Sequence, residues 1–295
     1  MRIRAGFDIA FDCPAPTPMI LMLSVRPERL HDLLTPQVLH TNPAGATHEY
    51  RDAFGNICTR VMAPAGRISF AADFLINDGG MADEFAPGAV QHPVDELPDD
   101  ALIYLLASRY CETELLSATA WSLFGATQPG WPRVQAIVDY VHQRITFGYE
   151  HARNTRTAAE GHAEQRGVCR DFAHLAITLC RCMNIPARYC TGYLGDIGIP
   201  PVDAPMDFSA WFEVFLGGRW RTFDARHNKP RIGRIVMARG RDATDAAIVT
   251  NFGPATLVKF DVITEEVSAE AARPASSVDR FSPGRASPQS QMAHF

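Results

Sequence analysis

The sequence predicts an α+β protein in which a β-rich N-terminal domain precedes helices packed on an antiparallel sheet. Short strand-like runs joined by turns fill residues 1–90, and amphipathic helical patterns begin near residue 101. Two later strand-like runs flank a Gly-Gly pair. An apolar period of two indicates strands and a period near 3.6 indicates helices, so both element types are expected in one chain.

Residues 1–90 are expected to form a β-sandwich-like domain. Residues 3–11 alternate between apolar and polar side chains over their second half, and residues 18–25 and 67–74 form apolar runs of strand length. A turn signal at residues 52–56 separates two further runs. Several short strands at this spacing are typical of a sandwich. No residue pattern in this region indicates catalysis.

A second domain is predicted to cover residues 98–264. Glycine and proline residues cluster between positions 79 and 98, which places the boundary there. Helices are expected over residues 101–106, over residues 114–124 and from Pro132 onward, since proline suits the first turn of a helix. The third helix carries an apolar stripe of Val134, Ile137, Val138, Val141 and Ile145.

Composition limits the partners and the compartment. The net charge of -5 disfavours general binding to nucleic acid. The sequence has no uninterrupted stretch of about 18 apolar residues, so no membrane span is predicted. Seven cysteines without a regular spacing fit a reducing cytoplasm. Cys180 and Cys182 lack a second ligand pair, so we expect no metal and no cofactor.

Residues 165–175 are the first stretch that indicates chemistry. Cys169 opens an apolar helical pattern that runs to about residue 183, after a polar segment at residues 150–166 that is expected to be a long loop. Asp171 lies in the first turn of the helix. The helix dipole, with Arg166 and Arg170, is expected to lower the pKa of Cys169 and to produce a thiolate. The alternative is a small buried cysteine at a helix start.

The second informative stretch is a hairpin. Residues 208–216 and 219–224 are strand-like, and the two glycines between them favour a two-residue turn. This register pairs Leu216 with Arg219 and Trp211 with Asp224. Asp224 then lies on the same sheet face as Ser209 and diagonal to it, within side-chain reach. The same number of residues from the turn also fits an ordinary antiparallel strand pair in which Asp224 simply ends a strand.

These motifs together resemble the bacterial transglutaminase-like superfamily, including its cysteine peptidase-type members with a β-rich N-terminal domain. The resemblance spans residues 1 to about 264. Its motifs are residues 167–173, 184–189, 192–193, 210–214, 223–224 and 240–245. Each motif is loose alone, but their order and spacing are specific.

The resemblance implies a papain-like transglutaminase core with a Cys-His-Asp triad. In that chemistry a thiolate attacks the carbonyl of an amide to give a thioester acyl-enzyme, which water or an amine then resolves. The nucleophile corresponds to Cys169 and the orienting acid to Asp224. The implied activity is that of a peptidase, amidase or acyl transferase acting on a peptide or protein substrate.

The triad histidine is the point of departure, because Ser209 stands where the family pattern has histidine. Serine is not a neutral-pH base. Three explanations stay open: another histidine supplies the base, with His227 the leading candidate; the protein is a catalytically inactive peptide-binding module; or a Cys-Ser-Asp arrangement acts with unusual chemistry. His162 is a further candidate, whereas His174 should point about 140° away from Cys169 on the same helix.

Two more residues are candidates for substrate binding. Gln165 could donate to an oxyanion, and Trp211 could form a substrate platform, although loop and packing roles also fit. A run of arginines between positions 219 and 241 is expected to form a solvated face. Residues 265–295 are rich in Ala, Ser and Pro and are predicted to be a disordered tail.

Overall fold

The computed structural model describes residues 1–200 and 206–267. The helices within these residues are α1 (Asp99–Leu102), α2 (Thr113–Phe124), α3 (Trp131–Arg144), α4 (Ala158–Glu164) and α5 (Cys169–Cys182). The first six strands are β1 (Arg2–Cys13), β2 (Thr17–Leu21), β3 (His40–Asn42), β4 (Thr47–Arg51), β5 (Ile57–Ala63) and β6 (Gly66–Asn77). The later strands are β7 (Thr146–Phe147), β8 (Arg166–Gly167), β9 (Ala187–Tyr193), β10 (Ser209–Leu216), β11 (Arg219–Phe223), β12 (Ile235–Gly240), β13 (Val249–Asn251) and β14 (Thr256–Val267).

The β-rich part of the chain consists of two four-stranded sheets, ordered β14-β1-β6-β3 and β13-β2-β5-β4. Alternate residues of β1, β2 and β6 are buried, as expected for strands with one face on a core. Side chains from both sheets, such as Phe7 and Met19, join one hydrophobic cluster. That cluster also includes Tyr193, Phe208 and Ile235, so the β-rich part packs directly on the elements that carry the site.

The two C-terminal strands belong to these same sheets. β14 pairs with β1 along nearly its whole length, and β13 pairs with β2. The division at residues 1–90 and 98–264 stays a prediction, but sheet pairing assigns residues 249–267 to the N-terminal sheets. Residues 265–267 of the predicted tail complete β14, and the rest of that tail lies outside the described residues.

A third four-stranded sheet has the order β11-β10-β9-β12, and helix α5 packs on β10 and β9. Every residue of α5 is buried, because α2, α3 and α4 cover its other sides. Helices on one side of an antiparallel sheet, together with the β-rich part, make the chain an α+β protein, as predicted. A helix enclosed in this way fixes its first residue, Cys169, with little freedom to move.

The predicted hairpin register is confirmed from Leu216 and Arg219 back to Phe212 and Phe223, around Gly217 and Gly218, which both have positive φ. The predicted pair of Trp211 with Asp224 lies one step beyond the last paired residues, because β11 ends at Phe223. The polar segment at residues 150–166 differs from the predicted loop because it contains α4. Thr157 and Glu160 form a capping box that starts this helix, a short-range signal that polarity alone conceals.

Gly192 lies where β9 and β12 approach each other closely beside the site. It pairs with Ser209 on one side, and a Cβ added to it would overlap the carbonyl oxygen of Ile235 on the other. We expect Gly192→Ala to lower the free energy of unfolding by about 2 kcal/mol, measured by urea denaturation, because overpacking forces the backbone apart. Gly45→Ala is the control, since a Cβ there meets nothing within 4 Å. Equal stability of the two variants would refute this packing.

Candidate active site

The start of α5 is built around a buried carboxylate. The Asp171 carboxylate accepts a hydrogen bond from the Val168 backbone N–H at 2.8 Å and another from the Arg156 guanidinium at 3.0 Å. Gly167 allows this approach, because a Cβ at that position would lie 2.5 Å from the Asp171 carboxylate. The first-turn acid predicted from the sequence therefore anchors the residues that lead into Cys169.

Cys169 differs from the predicted thiolate. Its thiol is buried, and burial raises its pKa to about 11, against the opposing effects of the Arg226 charge and the Ala210 backbone N–H. Arg166 is exposed, and the guanidinium of Arg170 lies over the Tyr110 ring with its carbon 5.5 Å from the ring centre. Neither of these arginines is among the main influences on the pKa of Cys169, and desolvation outweighs the helix dipole.

A second charged group forms after the hairpin. One Asp224 carboxylate oxygen accepts hydrogen bonds from Arg234 and from Nδ1 of His227, both at 2.9 Å, and the other accepts from the His227 backbone N–H at 3.0 Å. Burial alone would raise the pKa of Asp224, but the charge of Arg234 and the contacts with His227 hold it below its usual value. An ionised carboxylate at Nδ1 leaves Nε2 of the neutral ring as the proton acceptor.

Two cavities meet at Cys169. The larger has a volume of about 370 Å³ and is lined by Cys169, Arg226 and His227 among others. The smaller has a volume of about 60 Å³ and reaches Tyr189 and Phe260. Four residues line both cavities: Cys169, Asp207, Phe208 and Ser209. The structure therefore brings Cys169, Ser209 and His227 to the walls of the larger cavity, with Asp224 buried behind His227.

Ser209 begins β10 and is only 5% exposed. Its hydroxyl has no hydrogen-bond partner within residues 1–200 and 206–267, although its carbonyl oxygen accepts a bond from Thr191. A buried hydroxyl without a partner is costly in a folded protein. The side chain at this position therefore offers an unused donor and acceptor in the cavities that Cys169 also lines.

The other predicted site residues lie apart from both cavities. Gln165 is exposed and ends α4 in a left-handed conformation with φ 56°. Trp211 is buried against Cys190 and Val236, with Arg234 over its ring, so it contributes to packing. The assignments of Gln165 and Trp211 to substrate binding are therefore not supported by their positions: one caps a helix and the other fills a core.

The alternative histidines also lie elsewhere. Nε2 of His162 on α4 is 2.7 Å from the hydroxyl of Tyr140 on α3. His174 is fully buried, and its Nε2 accepts from the Ala243 backbone N–H at 3.1 Å. Burial lowers the pKa of His174 to about 3. Of the histidines considered, only His227 lines a cavity that Cys169 also lines.

Asp207, Arg226 and Tyr149 are site residues that sequence reasoning missed. Burial raises the pKa of Asp207 to about 7, against the effects of the Phe208 backbone N–H and Arg226. The guanidinium carbon of Arg226 lies 3.8 Å from the Phe147 ring centre, and burial raises the pKa of Tyr149 to about 12. A usable signal for Asp207 was its place in the sequence, two residues before Ser209.

Within the described part of the chain, no three His, Cys, Asp or Glu side chains form a group that could hold a metal ion. The helices of that part include none long and apolar enough to span a bilayer.

Known proteins resemble this chain in both sequence and fold. Residues 118–225 match the family described as the transglutaminase-like superfamily. A solved structure from Cytophaga hutchinsonii, provisionally described as a cysteine protease, is 29% identical, covers 91% of each chain and has a TM-score of 0.78. Residues 118–225 therefore form a transglutaminase-like core. This matched segment includes both Cys169 and Asp224.

Two mycobacterial relatives extend the comparison. An uncharacterized protein of Mycobacterium leprae is 38% identical over 88 residues, which cover 28% of this chain and 30% of that protein. An uncharacterized protein of Mycobacterium tuberculosis is 26% identical over 218 residues, covering 66% of this chain and 68% of that protein. Neither description states an activity.

The raised pKa of the Cys169 thiol predicts slow alkylation. At pH 7 a thiol with a pKa near 11 is ionised to about one part in ten thousand, so iodoacetamide should label Cys169 far more slowly than a free thiol. The labelling rate, followed by mass spectrometry of the Cys169 peptide, should rise about tenfold per pH unit through pH 10.

Arg226→Gln should slow this labelling further at every pH below 11, because it removes a cation that lowers the pKa of Cys169. Arg219→Gln is the matched control, since Arg219 is exposed and pairs with Glu84 away from the cavities. Rapid labelling at pH 7 that levels off below pH 8 would contradict a neutral thiol.

Proposed function

We propose that this protein is a cysteine-dependent enzyme that cleaves or transfers the acyl group of peptide or protein amides. The observation that carries the proposal is one cavity lined by both Cys169 and a histidine whose Nδ1 is 2.9 Å from the buried carboxylate of Asp224. The nucleophile, base and orienting acid are the three parts that thiol acyl transfer requires. The cysteine protease description of the Cytophaga hutchinsonii structure supports the same class.

In the proposed reaction Cys169 attacks the amide carbonyl while His227 removes the thiol proton at Nε2. General-base transfer is needed because burial keeps the resting thiol neutral. Asp224 stays ionised and stabilises the imidazolium that forms. Attack gives a tetrahedral intermediate, and departure of the amine gives a thioester at Cys169. Water yields a hydrolysed product and regenerates the thiol, whereas a second amine yields a transferred acyl group.

The Ala210 backbone N–H contributes to the same step. It faces the Cys169 sulfur as a hydrogen-bond donor and lowers the energy of the thiolate form. Ala210 follows Ser209 on β10, which pairs with β9 in the central sheet. A donor held by a sheet does not need to reorganise as charge develops on sulfur.

A second candidate function is a non-catalytic peptide-binding module. The observation that favours it is Ser209, whose buried, unpartnered hydroxyl occupies the position at which the superfamily pattern has histidine. In this case the larger cavity holds a peptide, and Cys169 is a neutral wall residue. This function needs no proton transfer between Cys169 and His227.

We also propose that the protein acts in a reducing compartment, in agreement with the cytoplasmic location expected from the sequence. All seven cysteines are free, and a nucleophilic thiol must remain reduced to act. Cys169 oxidised to a disulfide or a sulfinic acid would be inactive in the proposed reaction.

A panel of fluorogenic peptide amides separates the two candidates. If the protein is an enzyme, Cys169→Ala abolishes release of the fluorescent amine, and His227→Gln lowers kcat at least 100-fold because the general base is lost. His162→Gln is the matched control, and it should leave kcat within about twofold because His162 bonds to Tyr140 outside the cavities. A peptide bound equally well by the wild type and by Cys169→Ala, with no turnover by either, would instead establish the binding module.

A further inference from the structure

Asp207 is a second acidic group at the nucleophile, distinct from the Asp224 that orients His227. It lines both cavities beside Cys169 and Ser209, and its backbone leads directly into β10. Within residues 1–200 and 206–267, Asp207 forms no salt bridge of the kind that holds Asp224. Two carboxyl groups at one site therefore occupy opposite environments.

The groups that face Asp207 come from three parts of the chain. They are the Cys169 thiol at the start of α5, the Arg226 guanidinium after the hairpin and the Tyr149 hydroxyl before α4. The negative charge of Asp207 is the largest of the charges that raise the pKa of Cys169, so the two groups are electrostatically close. Burial raises the pKa of Asp207 itself to about 7, so both forms of the carboxyl are present near neutral pH.

Amide cleavage needs a proton donor as well as a base. An amine leaves a tetrahedral intermediate poorly unless its nitrogen is protonated as the C–N bond breaks. Where the surroundings of two carboxyl groups push their pKa values apart, the group with the higher pKa commonly serves as the proton donor and the other stays ionised. At this site Asp224 has the lowered pKa and Asp207 the raised one.

We propose that Asp207 is a catalytic residue that protonates the leaving nitrogen of the substrate amide. This inference rests on the proposed function. In acylation the thiol proton passes from sulfur to His227, the S–C bond forms, and the C–N bond breaks as the Asp207 proton moves to nitrogen. In deacylation the Asp207 carboxylate takes a proton from the attacking water. The leaving sulfur of Cys169 recovers its proton from His227, so both residues return to their starting forms.

The test compares two leaving groups on one acyl peptide. The peptide turned over fastest in the fluorogenic panel is prepared as its methylamide and as its p-nitrophenyl ester, and acylation of Cys169 is followed in single turnovers. Nitrophenolate leaves without taking up a proton, whereas methylamine leaves only when its nitrogen is protonated. Asp207→Asn should therefore slow acylation by the methylamide at least 100-fold and acylation by the ester less than fivefold.

The pH dependence gives a second readout. Because the acid must be protonated to act, wild-type acylation by the methylamide should decline as the pH rises through about 7, the pKa of Asp207. The ester reaction should show no such decline, and Asp207→Asn should remove it from the methylamide reaction. Asp196→Asn is the control for loss of a carboxylate from the larger cavity, because Asp196 also lines that cavity. Its carboxylate oxygen lies 3.9 Å from a guanidinium nitrogen of Arg231.

The outcomes separate the two proposals. Normal methylamide turnover by Asp207→Asn would overturn the role of Asp207 alone, and so would an equal loss with both substrates. Failure of either substrate to acylate Cys169 in the wild type would overturn both the role of Asp207 and the proposed function.

Discussion

Burial of the Cys169 thiol is the constraint on which the chemistry of this site depends. Helix α5 is enclosed on all sides, so its first residue is held in a weakly solvated position between two cavities. Desolvation disfavours the thiolate more than Arg226 and the Ala210 N–H favour it. A site of this kind cannot rely on a thiolate formed in advance, and any reaction at sulfur must remove a proton as the new bond forms.

The surroundings of Asp224 and Asp207 are consistent with removal of the thiol proton during the reaction. Asp224 is fixed by Arg234 and turns back to hold His227, which leaves Nε2 free to act as a base. Arg234 is itself held by Asp83, 2.9 Å away in the segment before the helices. Asp83 thus supports His227 through Arg234 and Asp224, so the position of His227 depends on contacts far from it in sequence. Asp207 has no comparable ion pair among the described residues, and burial raises its pKa to about 7.

Much of the fold and part of the site could be predicted from the sequence. The Gly-Gly turn sets the hairpin register because a two-residue loop allows few alternatives, and the apolar pattern after Cys169 identifies α5. The pairing of β14 with β1 could not be read, because such long-range contacts leave no local signal. The raised pKa of Cys169 was missed for a similar reason: sequence shows the neighbours Arg166 and Arg170, but burial and distant groups decide the result. The position of Gln165 and Trp211 outside both cavities could not be predicted, because polarity and aromaticity do not show which way a side chain points.

A solvent isotope measurement tests most directly whether the thiol proton moves during attack on the substrate. Single-turnover acylation of Cys169 by the p-nitrophenyl ester can be compared in H₂O and D₂O at matched acidity, since this leaving group needs no acid. Transfer of the proton to His227 in the transition state predicts clearly slower acylation in D₂O, and loss of that difference in His227→Gln. Equal rates in the two solvents would contradict general-base attack and would indicate a thiolate that exists before the substrate binds.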